Sequence, residues 1–169
     1  MFARLSAIAV TALCSSLAFN PLQAQTSPAT PSARNEASMS RATGPFDVKL
    51  TPQEDKGDAA LGRMTIDKQF HGELEATSRG QMLSVMTPVK GSAGYVAIEI
   101  VSGSLAGHNG TFALQHSATM NRGTPSLSII VVPDSGTGQL TGLTGTMKIN
   151  IAPDGKHSYD FEYTLPAAN

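Results

Sequence analysis

Cysteine is almost absent from this 169-residue chain, which contains only Cys14. That residue lies within an apolar N-terminal run, and the residue before it, Leu13, is larger than a lipoprotein signal would require. The remainder of the chain can form no disulfide bond, so its fold must depend on its apolar core. A cysteine nucleophile is excluded from that part of the chain, and the G-x-S-x-G pattern of serine hydrolases is also absent.

Tryptophan is absent, and charged residues make up only 15% of the chain. Without tryptophan, the chain has no copy of the commonest aromatic anchor for sugars and for membrane interfaces. Twelve basic and thirteen acidic residues give a formal net charge of −1, without a basic cluster. Nucleic acids and anionic membrane surfaces recruit clustered lysine and arginine, so we expect neither as a partner. No cofactor is indicated, and the oligomeric state is left open.

The N-terminus has the pattern of a secretory signal peptide rather than of a membrane anchor. Arg4 precedes the apolar run Leu5–Leu17, and Leu-Gln-Ala at 22–24 offers a cleavage site. The run is too short to span a bilayer, which takes about twenty apolar residues. We therefore predict a signal peptide over 1–24 and a periplasmic or secreted protein without a membrane span after cleavage. Residues 25–41, rich in Ser, Thr, Ala and Pro, are predicted to form a flexible leader.

The segment Leu61–Met86 shows the clearest periodicity in the chain. Across Met64–Ala76 its even positions are mostly apolar, and its odd positions from Arg63 to Thr77 are polar. Lys68 alone places a charge on the apolar face. A period of two is typical of a strand with one buried and one solvent-facing side. We predict one long strand here, bent or bulged at Gly72 and Gly80.

The rest of residues 42–166 also favours strands over helices. Alternating or β-branched runs are separated by turn signals, and Asn109-Gly110 is predicted to form a tight hairpin turn. No stretch has a convincing helical period. About eight antiparallel strands in meander order predict a single domain over 42–166 that forms a closed β-barrel, with an open sandwich as the alternative.

Four phrases of the sequence carry a resemblance to a known family, and they are LGRMTIDKQFHGELEATSRGQM, GSAGYVAIEIVSGSLAGHNGTFALQHSATM, LSIIVVPDSGTGQLTGLTGTMKI and GKHSYDFEYTL. They resemble an uncharacterised bacterial domain-of-unknown-function family, number 3224. The likeness extends over roughly Ala42–Leu165. It implies a small antiparallel barrel similar to that of allene oxide cyclase, and it implies no activity, because shared architecture is only an analogy for function.

Two polar residues interrupt apolar patterns and are the first candidates for a ligand pocket. His116 lies on the apolar face of its predicted strand, where it is either a hydrogen-bonded core residue or a polar group in a cavity. Glu99 either faces solvent or points inward, where it would need a partner such as His116. Tyr159, Tyr163 and Met147 are predicted to lie near the lining of the same cavity.

A second polar cluster is formed by His71, Glu73 and Glu75, which alternate along the predicted long strand. Two carboxylates could act as acid and base, or share a divalent cation with the histidine. The regular alternation favours a solvated face instead. Adjacent groups on one strand do not enclose an ion, so we predict no metal site.

Three functions are compatible with these patterns. The favoured one is a binding module that holds a small lipophilic molecule in the barrel. An isomerase or cyclase of a lipid-derived substrate is suggested only by analogy with allene oxide cyclase, and we lean against an enzyme. The third is an interaction protein with a filled core, which would present a large exposed apolar patch.

Overall fold

The structure, a computed structural model, describes residues 38–54 and 61–166. The predicted signal peptide and residues 25–37 of the predicted leader lie outside the described residues. The first strand begins at Met39, so the barrel starts three residues before the predicted boundary at Ala42. The reason is that Met39, Ser40 and Arg41 pair with the last strand, a long-range contact that their composition does not indicate.

Eight antiparallel strands form a closed barrel in which each strand pairs with its neighbours in chain order. The first strand also pairs with the eighth and closes the sheet, which confirms the predicted barrel. A short 3-10 helix, Gly138–Leu140, precedes the seventh strand. None of the helices within the described ranges is long and apolar enough to cross a membrane. The strands are β1 (Met39–Gln53), β2 (Leu61–Phe70), β3 (Leu74–Met86), β4 (Ala93–Leu105), β5 (His108–Asn121), β6 (Thr124–Val131), β7 (Thr144–Ile151) and β8 (His157–Thr164).

The prediction of one strand over Leu61–Met86 is wrong, because this segment is a hairpin of β2 and β3. The chain reverses between Phe70 and Leu74, where Gly72 adopts a φ of +98°. Phe70 and Leu74, which flank the turn, both point into the barrel and are separated by an even number of positions. The apolar period therefore continues through the turn, and parity alone cannot reveal the reversal.

The prediction of a hairpin turn at Asn109-Gly110 is also wrong. Leu105 pairs with His108, so the turn residues are Ala106 and Gly107, with φ values of 47° and 87°. These positive values are those of a tight primed turn. Gly110 lies within β5, and a Cβ atom there would collide with the backbone carbonyl of Thr137. The glycine is thus required for close backbone approach and not for a turn.

We expect Gly110→Ala to lower the free energy of unfolding by about 1–3 kcal/mol, the range for overpacking a rigid site. The added methyl group meets backbone, which cannot rotate away as a side chain could. Chemical denaturation of the two proteins would measure the difference. Gly107→Ala is the control, because it meets no atom within 4 Å and adds only the strain of a positive φ. An equal or larger loss for the control would contradict the packing argument.

The two halves of the barrel interior differ in how they are filled. The half nearer the β2–β3 and β4–β5 turns is packed with aromatic and aliphatic side chains, including Phe70, Phe112 and Tyr159. Leu140 and Leu143 are buried in this core and fill that end of the barrel. The aromatic rings contact one another: Phe112 stacks on Phe161 at 5.9 Å between ring centres. The other half contains the candidate site.

Candidate binding site

A cluster of four polar side chains is buried in the barrel between its filled and open halves. They are Lys68, Ser78, Glu99 and His116, which are 8%, 3%, 0% and 3% exposed. The Glu99 carboxylate is the centre of the cluster. Its Oε1 accepts hydrogen bonds from Lys68 Nζ at 2.7 Å and from His116 Nε2 at 2.8 Å, and its Oε2 accepts one from Ser78 Oγ at 2.6 Å.

Strand register brings these residues together from β2, β3, β4 and β5. Lys68 is directly opposite Ser78 in the β2–β3 ladder, and His116 is opposite Ala97, two residues before Glu99. Side chains two apart on a strand share a face, so all four point inward. Gly80, opposite Glu99, provides space for its side chain, because a Cβ at Gly80 would lie 2.7 Å from the Cβ of Glu99.

The partners of Glu99 hold it in the ionised state. Burial by itself raises the pKa of this carboxyl group. Hydrogen bonds from His116, Lys68 and Ser78, together with the charge of Lys68, outweigh burial and lower the pKa of Glu99 from 4.5 to about 2. The Lys68 ammonium also lies 5.3 Å from the ring centre of Phe46 and 5.6 Å from that of Phe70, distances at which a cation is attracted to an aromatic face.

The hydrogen bond to Glu99 determines which nitrogen of His116 carries a proton. An ionised carboxylate can only accept, so Nε2 must donate, and in the neutral imidazole Nδ1 then has a free lone pair. No hydrogen bond between residues of the described ranges uses Nδ1. Within those ranges no solvent-shielded side-chain nitrogen or oxygen lacks a partner, so solvent reaches this atom. The neutral imidazole can therefore accept a hydrogen bond at Nδ1.

Above the cluster, the open half of the barrel contains a cavity of about 310 Å³. Lys68 and His116 form part of its wall, and most of its other lining is apolar. Tyr95 lies on this wall, and burial, followed by the charge of Glu99, raises the pKa of its hydroxyl group. The lining residues are Phe46, Val48, Leu50, Ile66, Lys68, Met82, Tyr95, His116, Leu127, Ile149, Ile151 and His157.

Residues 42–163 match the model of a family described as "Protein of unknown function (DUF3224)". The chain belongs to the DUF3224 family. A solved crystal structure of a DUF3224 protein of unknown function from Shewanella oneidensis MR-1 is 54% identical, with a TM-score of 0.72. The similarity covers 78% of this chain and 100% of that one. No curated protein matched, and the likeness to allene oxide cyclase stays a prediction.

The structure of this DUF3224 domain separates the residues predicted for one pocket. Glu99 and His116 are in direct contact; His116 lines the barrel cavity, whereas Glu99 is fully buried behind it. Tyr159, Tyr163 and Met147 are buried in the filled half and do not line the cavity. The hydroxyl group of Tyr159 accepts a hydrogen bond from the backbone of Leu74 and donates one to the carbonyl oxygen of His71, so it closes the β2–β3 turn.

The second predicted cluster lies at the β2–β3 turn, outside the barrel interior. His71 Nδ1 is 3.4 Å from Glu75 Oε1, and both side chains are well exposed. Glu73 accepts a hydrogen bond from the backbone nitrogen of Thr43 at 2.9 Å. In residues 38–54 and 61–166, no group of three His, Cys, Asp or Glu residues could hold a metal ion.

Lys68 and Ser78 belong to the cluster but were not predicted as site residues. The sequence did contain an indication that Lys68 belongs to a site, because this residue is the one charge on the apolar face of its segment. Such a lysine requires a buried counter-ion, and Glu99 also breaks an apolar pattern. The sequence contained no such indication for Ser78, since small hydroxyl residues occur on both faces of strands.

Proposed function

We propose that this member of the DUF3224 family is an exported barrel that binds a small lipophilic molecule in its open half. The cavity of about 310 Å³ is the observation that supports this proposal. A cavity of about 150 Å³ lined by apolar side chains is enough to bind benzene, and ligand sites in proteins begin near 300 Å³. The polar cluster at the base of the cavity gives a bound molecule a defined orientation.

The export part of the proposal is supported by the N-terminal sequence. Arg4 followed by the apolar run Leu5–Leu17 is typical of a secretory signal. A periplasmic or extracellular barrel without disulfides would meet lipophilic molecules that partition poorly into water. A binding cavity suits that setting.

Filling the cavity should weaken ligand binding. We expect Ile149→Trp, which places a larger side chain on the cavity wall, to reduce the affinity for the neutral fluorescent probe N-phenylnaphthylamine by at least about tenfold. A tenfold loss corresponds to about 1.4 kcal/mol, less than the transfer free energy of one buried aliphatic side chain. Titration of probe fluorescence against each protein measures the change.

Val96→Trp is the matched control, since Val96 is 54% exposed on the outer face of β4. The control should bind the probe as the unaltered protein does. Equal weakening by the two substitutions would show that the probe binds the outside of the barrel. Failure of the unaltered protein to bind the probe would contradict the proposed function.

A further inference from the structure

We infer that the cavity selects a neutral amphiphile whose polar end is a hydroxyl group, held at the base of the cavity by His116 and Lys68. This inference rests on the proposed function and specifies the chemical class of the ligand. It follows from three properties of the buried cluster. These are the free hydrogen-bond acceptor of His116, the unused hydrogen-bond donors of Lys68, and the balance of charge between Lys68 and Glu99.

The first property is the acceptor on His116. Glu99 already receives hydrogen bonds from Lys68, Ser78 and His116, and the bond from His116 places the imidazole proton on Nε2. Nδ1 of the neutral ring is left as a free acceptor, and His116 lies on the wall of an apolar cavity. A ligand that covers this nitrogen without donating a hydrogen bond would leave the acceptor without a partner, and the resulting loss of free energy would weaken binding. The polar end of the ligand must therefore contain an O–H or N–H group.

The second property is the donor capacity of Lys68. An ammonium group has three N–H donors, and among the described residues the hydrogen bond to Glu99 uses one of them. Lys68 lies on the cavity wall beside His116. A ligand atom placed between them must accept from one and donate to the other. A hydroxyl group does both with a single oxygen atom.

The third property is charge. The ammonium of Lys68 and the carboxylate of Glu99 lie 2.7 Å apart and compensate each other. A ligand carboxylate or ammonium would bring an additional charge without a partner into the apolar barrel. Burial of an unpaired charge is strongly unfavourable. A neutral end group avoids that cost, which excludes fatty acids and alkylamines as preferred ligands.

Two other polar side chains on the cavity wall could compete for the ligand. Tyr95 and His157 both line the cavity. The His157 ring packs against Phe46, with ring centres 5.2 Å apart, and neither residue contacts the Glu99 carboxylate. His71 is the control for His116, because it has the same side chain at the β2–β3 turn, outside the barrel interior.

The test is displacement of N-phenylnaphthylamine by four ligands of equal chain length: decanol, decyl methyl ether, decanoate and decane. All four ligands are measured at about pH 8, where the carboxyl group of decanoate is ionised. We expect decanol to bind at least about tenfold more tightly than the ether and the carboxylate, which corresponds to one satisfied hydrogen bond. His116→Phe should abolish the preference for decanol over the ether, whereas His71→Phe should keep it.

Each other outcome overturns the inference in a distinguishable way. If decanoate or the ether bound as tightly as decanol, the hydroxyl preference would be wrong and the lipophilic cavity would stand. The same holds if the preference survived in His116→Phe or disappeared in His71→Phe. If neither the probe nor any ligand bound, the proposed function itself would fall. The ligand series on the unaltered protein decides the matter even if His116→Phe does not fold.

Discussion

Replacement of Glu99 with leucine should lower the free energy of unfolding by about 3–5 kcal/mol, the usual cost of removing one partner from a buried ion pair. Lys68 is only 8% exposed, and its ammonium would remain in the barrel without a counter-ion. His116 would lose its only partner among the described residues at the same time. Urea denaturation at neutral pH, followed by circular dichroism, would measure the loss.

A double variant separates charge compensation from packing. Lys68→Met combined with Glu99→Leu removes both charges and should be more stable than Glu99→Leu alone, because a buried pair can often be replaced by apolar groups at little cost. Glu75→Leu is the surface control, as Glu75 is exposed and its carboxylate lies 3.4 Å from His71, and its effect should lie within about 0.5 kcal/mol. A loss below about 1 kcal/mol in Glu99→Leu would show that Lys68 does not depend on this carboxylate.

Acid should destabilise the protein through the same residue. The pKa of Glu99 is lowered from 4.5 to about 2 in the folded state, so its contribution is complete above pH 4.5. Below that pH the unfolded chain binds the proton first, and the contribution decreases until the folded state is protonated near pH 2. A shift of this size corresponds to about 3 kcal/mol of stability that disappears across this range.

The acid effect of Glu99 can be isolated by comparison with Glu99→Gln, which has a similar shape and no carboxyl group to titrate. Other carboxyl groups also contribute to acid sensitivity. The hydrogen bond with Arg41, for example, lowers the pKa of the partly exposed residue Asp160. These contributions cancel in the comparison. The unaltered protein should lose about 3 kcal/mol more than the variant between pH 5 and pH 2, and parallel losses would contradict the assigned pKa.

The barrel was predictable because strand periodicity is a local property. Alternation along β2, β3 and β8 indicates one buried face per strand, and short connections favour a meander. The positions at which the chain reverses direction were harder to predict from the sequence. The turn at Gly72 preserves the alternation, and the Asn109-Gly110 pair has the composition of a turn although it lies in a strand. A local signal cannot distinguish a glycine needed for a turn from one needed for close packing.

The candidate site was only half predictable, and the physical reason is sequence separation. Lys68, Glu99 and His116 each break an apolar pattern, which the sequence determines by itself. Their contacts join residues 31 and 17 positions apart, so they depend on the register of three strand pairs. A shift of one residue in any pair would turn one of these side chains to the other face of the sheet.

The sequence alone therefore determined the class of fold, the apolar faces of the strands and the residues that interrupt them. Only the tertiary structure decided that the interruptions meet in one charge-compensated cluster, that Tyr159, Tyr163 and Met147 pack in the filled half, and that the other half retains a cavity. The distribution of volume along a closed barrel depends on side chains from all eight strands at once. No single segment of the chain contains that information.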